Sequence, residues 1–425
     1  MIINFFKKKY SKHKIICFSF LWRALQIFGK QGITFLIFIF CAKLLTPYDF
    51  GIYNYILAVV FFLIIFGDFG ISTATSKYVA EFNAINKDKL RLIPFNSLLI
   101  IVSLGVVVSL LVILFGEIYL KDKYIFVLYV LPMLFLAPIS SLYDGIYRGL
   151  KRFKELAIIS VSVGLFAIGF VYFLVSQYGL IGALISQSLF YLLLVLVLII
   201  RYGLITTKID KKLMKTIIKY STVIGFTAIA YYFYTKADII ILGHFNYINE
   251  IGYYEIVNKI FEIIKLPTLI LATVLAPAIT KYYAEKKYHI VKKKFLKHLY
   301  YSSAFGVILG ILLYIIIPPL IELFFNEYFI PETILIFKLL LLILPIRIVA
   351  TIISQSHAIA TGNAHFSLWT MIPAGILNIV LDFVFIYYFG FIGVVYSTLI
   401  CFTFAISSFI ILYYIKLNKL SKCLN

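Results

Sequence analysis

Residues 154–201 read KELAIISVSVGLFAIGFVYFLVSQYGLIGALISQSLFYLLLVLVLIIR. Two apolar runs, 155–177 and 179–200, are each long enough to cross the ~30 Å hydrocarbon core of a bilayer. Little more than Gly179 separates them, and basic residues flank the pair, Lys154 before the first run and Arg201 after the second. A chain that leaves one membrane surface, turns at a glycine and returns would show this pattern. Lipid offers no hydrogen-bond partner to free backbone groups, so both runs are expected to be helices.

The rest of the chain extends the pattern. Of its 425 residues, 63% are hydrophobic and 13% charged, against ~25% charged in soluble domains. Twelve apolar segments can be drawn: 20–44, 52–76, 93–120, 124–147, 155–177, 179–200, 217–243, 252–280, 299–325, 333–360, 366–388 and 391–415. Alternate gaps are basic. Lys7, Lys8, Lys9, Lys12 and Lys14 open the series, and Lys77, Lys87, Lys89 and Arg91 follow. Arg148, Lys151, Arg152 and Lys154 come next, then Arg201, Lys208, Lys211, Lys212, Lys215 and Lys219. Lys281, Lys286, Lys287, Lys292, Lys293, Lys294 and Lys297 form the largest group, and Lys416, Lys419 and Lys422 end the series at 29 cations. The other gaps hold three, Lys43, Lys121 and Lys123, beside acids such as Asp49, Asp122, Glu250 and Glu332. This split predicts a multi-pass protein of the cytoplasmic membrane with both termini inside and an even number of spans. The net charge of +21 is then that of loops facing anionic membrane lipid, with no role in binding nucleic acid.

Enzyme chemistry finds little support. No gap exceeds about 20 residues, so no extramembrane domain is expected, and no GxxxxGK[ST] loop cradles a nucleotide. His244, His357, His365 and the four cysteines lack metal-ligand spacing; Cys41 and Cys401 read as buried hydrophobes. No catalytic residue, metal or cofactor is expected. An ion gradient, the membrane potential or a partner would supply energy.

The chain also repeats itself. Gly51-Ile52-Tyr53 is echoed by Gly252-Tyr253-Tyr254, Gly149 and Phe153 by Gly362 and Phe366, and Gly179-Leu180-Ile181-Gly182 by Gly390-Phe391-Ile392-Gly393. These echoes lie 201, 213 and 211 residues apart, at equivalent places in the topology. The expected fold is an all-α integral membrane protein, twelve transmembrane helices in two parallel-repeat six-helix bundles around a central cavity, with lobes 1–205 and 206–425. Such halves commonly rock about a central site.

The stretches Leu44-Leu45-Thr46-Pro47-Tyr48-Asp49-Phe50-Gly51-Ile52-Tyr53, Phe66-Gly67-Asp68-Phe69-Gly70-Ile71 and Lys77-Tyr78-Val79-Ala80-Glu81 resemble the start of Wzx-type polysaccharide transporters. Tyr147-Arg148-Gly149-Leu150-Lys151-Arg152-Phe153, Lys236-Ala237-Asp238 before Gly243, and Gly252-Tyr253-Tyr254 before Asn258-Lys259-Ile260 continue the resemblance over nearly the whole chain. It implies membership of the multidrug/oligosaccharidyl-lipid/polysaccharide exporter superfamily. It further implies a flippase moving undecaprenyl-diphosphate-linked oligosaccharides outward for O-antigen, capsule or related polymers, with a polysaccharide polymerase as the expected protein partner. The alternatives are an ion-coupled multidrug exporter of the same superfamily, a membrane enzyme of polysaccharide assembly, and a non-transporting scaffold.

Thirteen ionisable residues fall in or at the margins of spans: Arg23, Lys30, Lys236, Lys259, Lys265, Lys338, Arg347, Asp68, Asp144, Asp238, Glu255, Glu262 and Asp382. At ~3 kcal/mol each, exposing all of them to lipid would cost about 40 kcal/mol, so most must pair, snorkel or line water. Arg23, Gln26, Lys30 and Thr34 form a polar stripe on the first span. Glu255, Lys259 and Glu262 are spaced for pairing along one helix, Asp144 and Arg148 likewise, and Lys236 for pairing across helices. Arg23, Lys30, Lys259, Lys265 and Arg347 are the candidates for binding a diphosphate or acidic sugars. Asp68, Asp238, Glu262 and Asp382 are the candidates for coupling to a proton or sodium ion; Asp382 is alternatively a partner for Arg347, and Asp68 for Arg23 or Lys30.

Overall fold

The computed structural model describes the backbone of residues 2–203 and 206–422, and side chains from residue 22 onward within those ranges. The side chains of Lys7, Lys8, Lys9, Lys12, Lys14 and Cys17 lie outside the described residues, as do Cys423 and the expected lobe boundary at 205.

The described residues are helical apart from short connections, without strands. The first six spans comprise α1 (Ile2–Leu44), α2 (Pro47–Asp68), α3 (Ile71–Ile85), α4 (Lys87–Leu120), α5 (Tyr124–Val130), α6 (Met133–Gly149) and α7 (Phe153–Tyr202). The rest are α8 (Lys211–His244), α9 (Ile248–Ile264), α10 (Leu266–Ala284), α11 (Tyr288–Phe324), α12 (Pro331–Leu341), α13 (Leu344–Ile353), α14 (His365–Phe389) and α15 (Ile392–Lys422). A π-turn over Ser354–Ile359 follows α13. Local chemistry sets several boundaries. The Thr46 hydroxyl accepts from the Asp49 amide at 3.1 Å, with Pro47 opening the first turn of α2. Asn86 caps α4 in the same way, accepting from the Lys89 amide at 3.0 Å.

Among the described residues, nine helices are long and apolar enough to span a membrane, and the bent pair α12–α13 makes ten. The 50-residue α7 is two spans: Gly179 (φ 53°, ψ −130°) breaks it. A Cβ on Gly182 would sit 1.9 Å from the Leu174 carbonyl oxygen, which places the chain reversal here. The pair α5–α6, interrupted at Leu131–Pro132, is the fourth span, and the total is the expected twelve.

The internal repeat is present in the backbone. Helices α9 and α11 start 201 residues after α2 and α4, and α13 starts 211 residues after α6. Gly390 (φ 61°, ψ −151°) breaks the chain as Gly179 does, and a Cβ on Gly393 would lie 2.3 Å from the Phe385 carbonyl. One equivalence shifts. The residue matching Gly362 (φ 74°) is Lys151 (φ 60°), not Gly149: each immediately precedes the donor of an amide-to-carbonyl bond that reaches back five residues, Arg152 to Tyr147 and Asn363 to Ala358. The left-handed position is a property of the helix end and can be filled by a non-glycine.

By packing, the chain divides into Met1–Ile229 and Ala230–Asn425. In the first unit Tyr143, Tyr147, Ile93, Ile101 and Leu156 form the core, with Leu213 and Ile217 of α8 packed into it. In the second, Phe295, Ile353, Val291 and Tyr413 do so. Cys41 and Cys401 are free thiols buried in the helices, as expected.

Candidate functional site

In the first unit, three polar side chains converge on Asp144 of α6. Arg148, one turn on, holds it at 2.8 Å, Gln26 of α1 donates to it at 3.0 Å, and Arg23 approaches to 3.9 Å while also donating to Gln26. Two guanidinium groups thus share one half-buried carboxylate, leaving a net positive site. Lys30, two turns along α1 from Arg23, is exposed and makes no ion pair with any described residue. Asp68 has a different partner from the one expected. Its carboxylate accepts from the Ser72 amide at 3.0 Å and from the Ser72 hydroxyl, closing the break at Phe69–Gly70, where both residues are left-handed (φ 39° and 78°).

In the second unit, Lys236 of α8 reaches across to Glu255 of α9 at 3.0 Å, so Glu255 does not serve Lys259. Lys259 instead contacts Glu262 at 3.4 Å. Lys265, at the α9–α10 junction, forms no ion pair with a described residue. Arg347 lies in the first turn of α13, just past the break that follows α12. It is buried with its guanidinium 4.5 Å from the Phe402 ring centroid and 5.7 Å from Phe261, and its Nε has no hydrogen-bond partner among the described residues. Ring faces attract a cation by ~0.5–2 kcal/mol but do not neutralise it. Asp382 is not its partner.

Asp238 and Asp382 belong together. Asn378 of α14 donates one amide nitrogen to both, at 2.8 Å to Asp238 and 2.9 Å to Asp382, so the bonded oxygens are about 5.7 Å apart at most. Asp238 also accepts from Thr398 at 2.8 Å and from the Tyr254 hydroxyl; Asp382 accepts from Ser397, whose hydroxyl lies 2.9 Å from the Val394 carbonyl. All six side chains are buried, the two acids at 4% and 0% exposure. The Asn378 carbonyl oxygen is buried too and accepts nothing from a described residue. Two buried carboxylates thus share one amide donor, an arrangement in which full ionisation of both is costly unless positive charge joins them.

The repeat supplies an internal control. Tyr254 answers to Tyr53 of the first unit and Thr398 to Gln187, and these two also bond, at 2.6 Å. Ala167 and Val171 stand where Asn378 and Asp382 stand in the second unit, so the first unit keeps the frame without the acids. Sequence reading found the two aspartates but missed Asn378, Tyr254, Ser397 and Thr398. The available signal was Asn378 one helical turn before Asp382, on the same face of an apolar segment.

A family model described as polysaccharide biosynthesis protein matches residues 16–283. The chain belongs to that family. A second model, MatE, matches residues 224–384. No curated protein matches the chain. Among solved structures, the chain is similar to an inward-facing multidrug resistance MATE family transporter of the MOP superfamily, at 15% identity and TM-score 0.76, covering 94% of this chain and 99% of that one. It is similar to the lipid II flippase MurJ in an inward closed conformation, at 17% identity and TM-score 0.75, covering 94% and 90%. A MOP superfamily transporter from Pyrococcus furiosus, described as having reversed binding-pocket polarity, aligns at 17% identity and TM-score 0.63 over 96% of each chain. The chain therefore shares the fold of these transporters and of this flippase.

Proposed function

We propose that the protein is a flippase carrying polyprenyl-diphosphate-linked oligosaccharides across the cytoplasmic membrane, driven by a small monovalent cation that binds at Asp238 and Asp382. The observation that carries the substrate assignment is a set of intramembrane cations without acid partners: Lys30, Lys265 and Arg347 make no ion pair with a described residue, and Lys338, which makes none either, is set aside because it rests 5.4 Å from the Tyr314 ring centroid at the margin of its span. Such charges are costly in hydrocarbon unless an anion joins them. A diphosphate brings about two negative charges and accepts charge-assisted hydrogen bonds from Lys and Arg. Arg23 and Lys259, already engaged with Asp144 and Glu262, are secondary contacts on this reading. Asp68 and Glu262 are set aside as coupling groups, because Ser72 and Lys259 already occupy them.

Neutralising Lys30 and Arg347 together (Lys30→Gln with Arg347→Gln) is expected to abolish export of surface polysaccharide in a complemented deletion strain. Protein levels should stay normal, and lipid-linked precursor should accumulate. Unimpaired export at normal protein levels contradicts the site assignment. The MatE match, with the likeness to a multidrug resistance MATE family transporter, supports a second reading, export of drugs. On that reading the deletion strain becomes drug-sensitive with its surface polymer intact.

A further inference from the structure

Outside these sites the first unit carries a groove of about 470 Å³ on α7, between the fifth and sixth spans. Buried Ile159 and Val163 form its floor; Leu193, Val197 and the exposed ring of Phe166 form its walls. Its one charged end is made by Glu155 and Arg201. Glu155 is taken: Arg152 holds it with two guanidinium nitrogens, Nε at 2.7 Å and Nη2. Arg201 is exposed and forms no ion pair with a described residue, so the mouth is left positive.

The groove's length matters as much as its charge. From Glu155 to Phe166 the helix rises about 16 Å. Half of a ~30 Å hydrocarbon core is about the same depth. The groove therefore runs from the basic end of the hairpin to about the bilayer midplane, the reach of one lipid tail in one leaflet. A polyprenyl chain is much longer than that. Basic pockets between transmembrane helices are a known physical basis for holding acidic headgroups.

We infer that this groove is a binding site for an anionic phospholipid of the leaflet at the basic end. One acyl chain lies between the fifth and sixth spans, with the phosphate against Arg201. Its role is separate from substrate transport, since neither Arg201 nor the groove belongs to the sites above.

The test is native mass spectrometry of delipidated, purified full-length protein titrated with phosphatidylglycerol or phosphatidylcholine of identical acyl chains. Wild type is expected to retain phosphatidylglycerol at least several-fold better. Arg201→Ala should abolish the preference, and Arg201→Lys should keep part of it. Ser162→Trp, which fills the groove without touching the mouth, should lower retention of both lipids. Folding of each variant is checked by its elution profile and helical circular dichroism. Equal retention of the two lipids by wild type overturns the inference. So does a preference that survives in folded Arg201→Ala, or retention unchanged in folded Ser162→Trp.

Discussion

Replacing Asp382 by Asn separates stability from function at the acid pair. When both carboxylates are ionised about 5 Å apart, their repulsion at an effective dielectric constant of ~20 is about 3 kcal/mol. Asp382→Asn removes it while keeping the shape. The new amide can donate to Ser397, whose hydroxyl already has the Val394 carbonyl at 2.9 Å as an alternative acceptor. The Asn378 carbonyl, without a partner among the described residues, gives a further place for a donor. The variant should therefore mimic the cation-loaded state. In thermal unfolding of purified protein, wild type should gain stability as the coupling cation is added, by RT ln(1 + [L]/Kd), ~2.7 kcal/mol at one hundred times Kd. Asp382→Asn should unfold no earlier than cation-loaded wild type and should not respond to the cation. Asp238→Asn should behave differently, because Asp238 accepts from three donors, Tyr254, Thr398 and Asn378. An amide loses at least one of those bonds, at a cost of about 1–3 kcal/mol. An Asp382→Asn protein that unfolds well below wild type, or that keeps the wild-type cation response, would rule out a repulsive, cation-binding acid pair.

Other perturbations probe the frame around the site. Lys236→Met strands Glu255, 8% exposed, and should destabilise the protein by about 3–5 kcal/mol; adding Glu255→Leu should recover most of it, as read by thermal unfolding. Gly306→Ala would place a methyl 2.5 Å from the Pro345 Cα and should cost about 1–3 kcal/mol by pushing α11 from α13, two residues before Arg347. Gly310→Ala, one turn further along α11, meets nothing within 4 Å and should not destabilise the protein in the same measurement.

The features legible in the sequence were those written in charge and hydropathy. Apolar length and alternating basic gaps predicted the twelve spans, and Gly179 and Gly390 marked the two hairpins that the backbone shows. Pairing along one helix was legible for Asp144 with Arg148 and for Lys259 with Glu262, because a helix fixes such neighbours. Pairing between helices was less legible. Glu255 sits at a helical distance from Lys259, yet it serves Lys236, since helix packing decides which side chains meet. The acid pair itself was visible only as two separate aspartates 144 residues apart. Neutral Asn378 joins them, and an amide carries no charge signal. The same holds for Lys151, which takes a left-handed turn that a search for glycines passes over.

Transport itself gives the most direct test. Protein is reconstituted into vesicles containing a lipid-linked oligosaccharide, and translocation is followed under a proton gradient alone and a sodium gradient alone. One of the two gradients is expected to accelerate translocation by wild type, and neither is expected to accelerate Asp382→Asn. Wild-type translocation indifferent to both gradients, or acceleration preserved in Asp382→Asn, would contradict cation coupling at the acid pair.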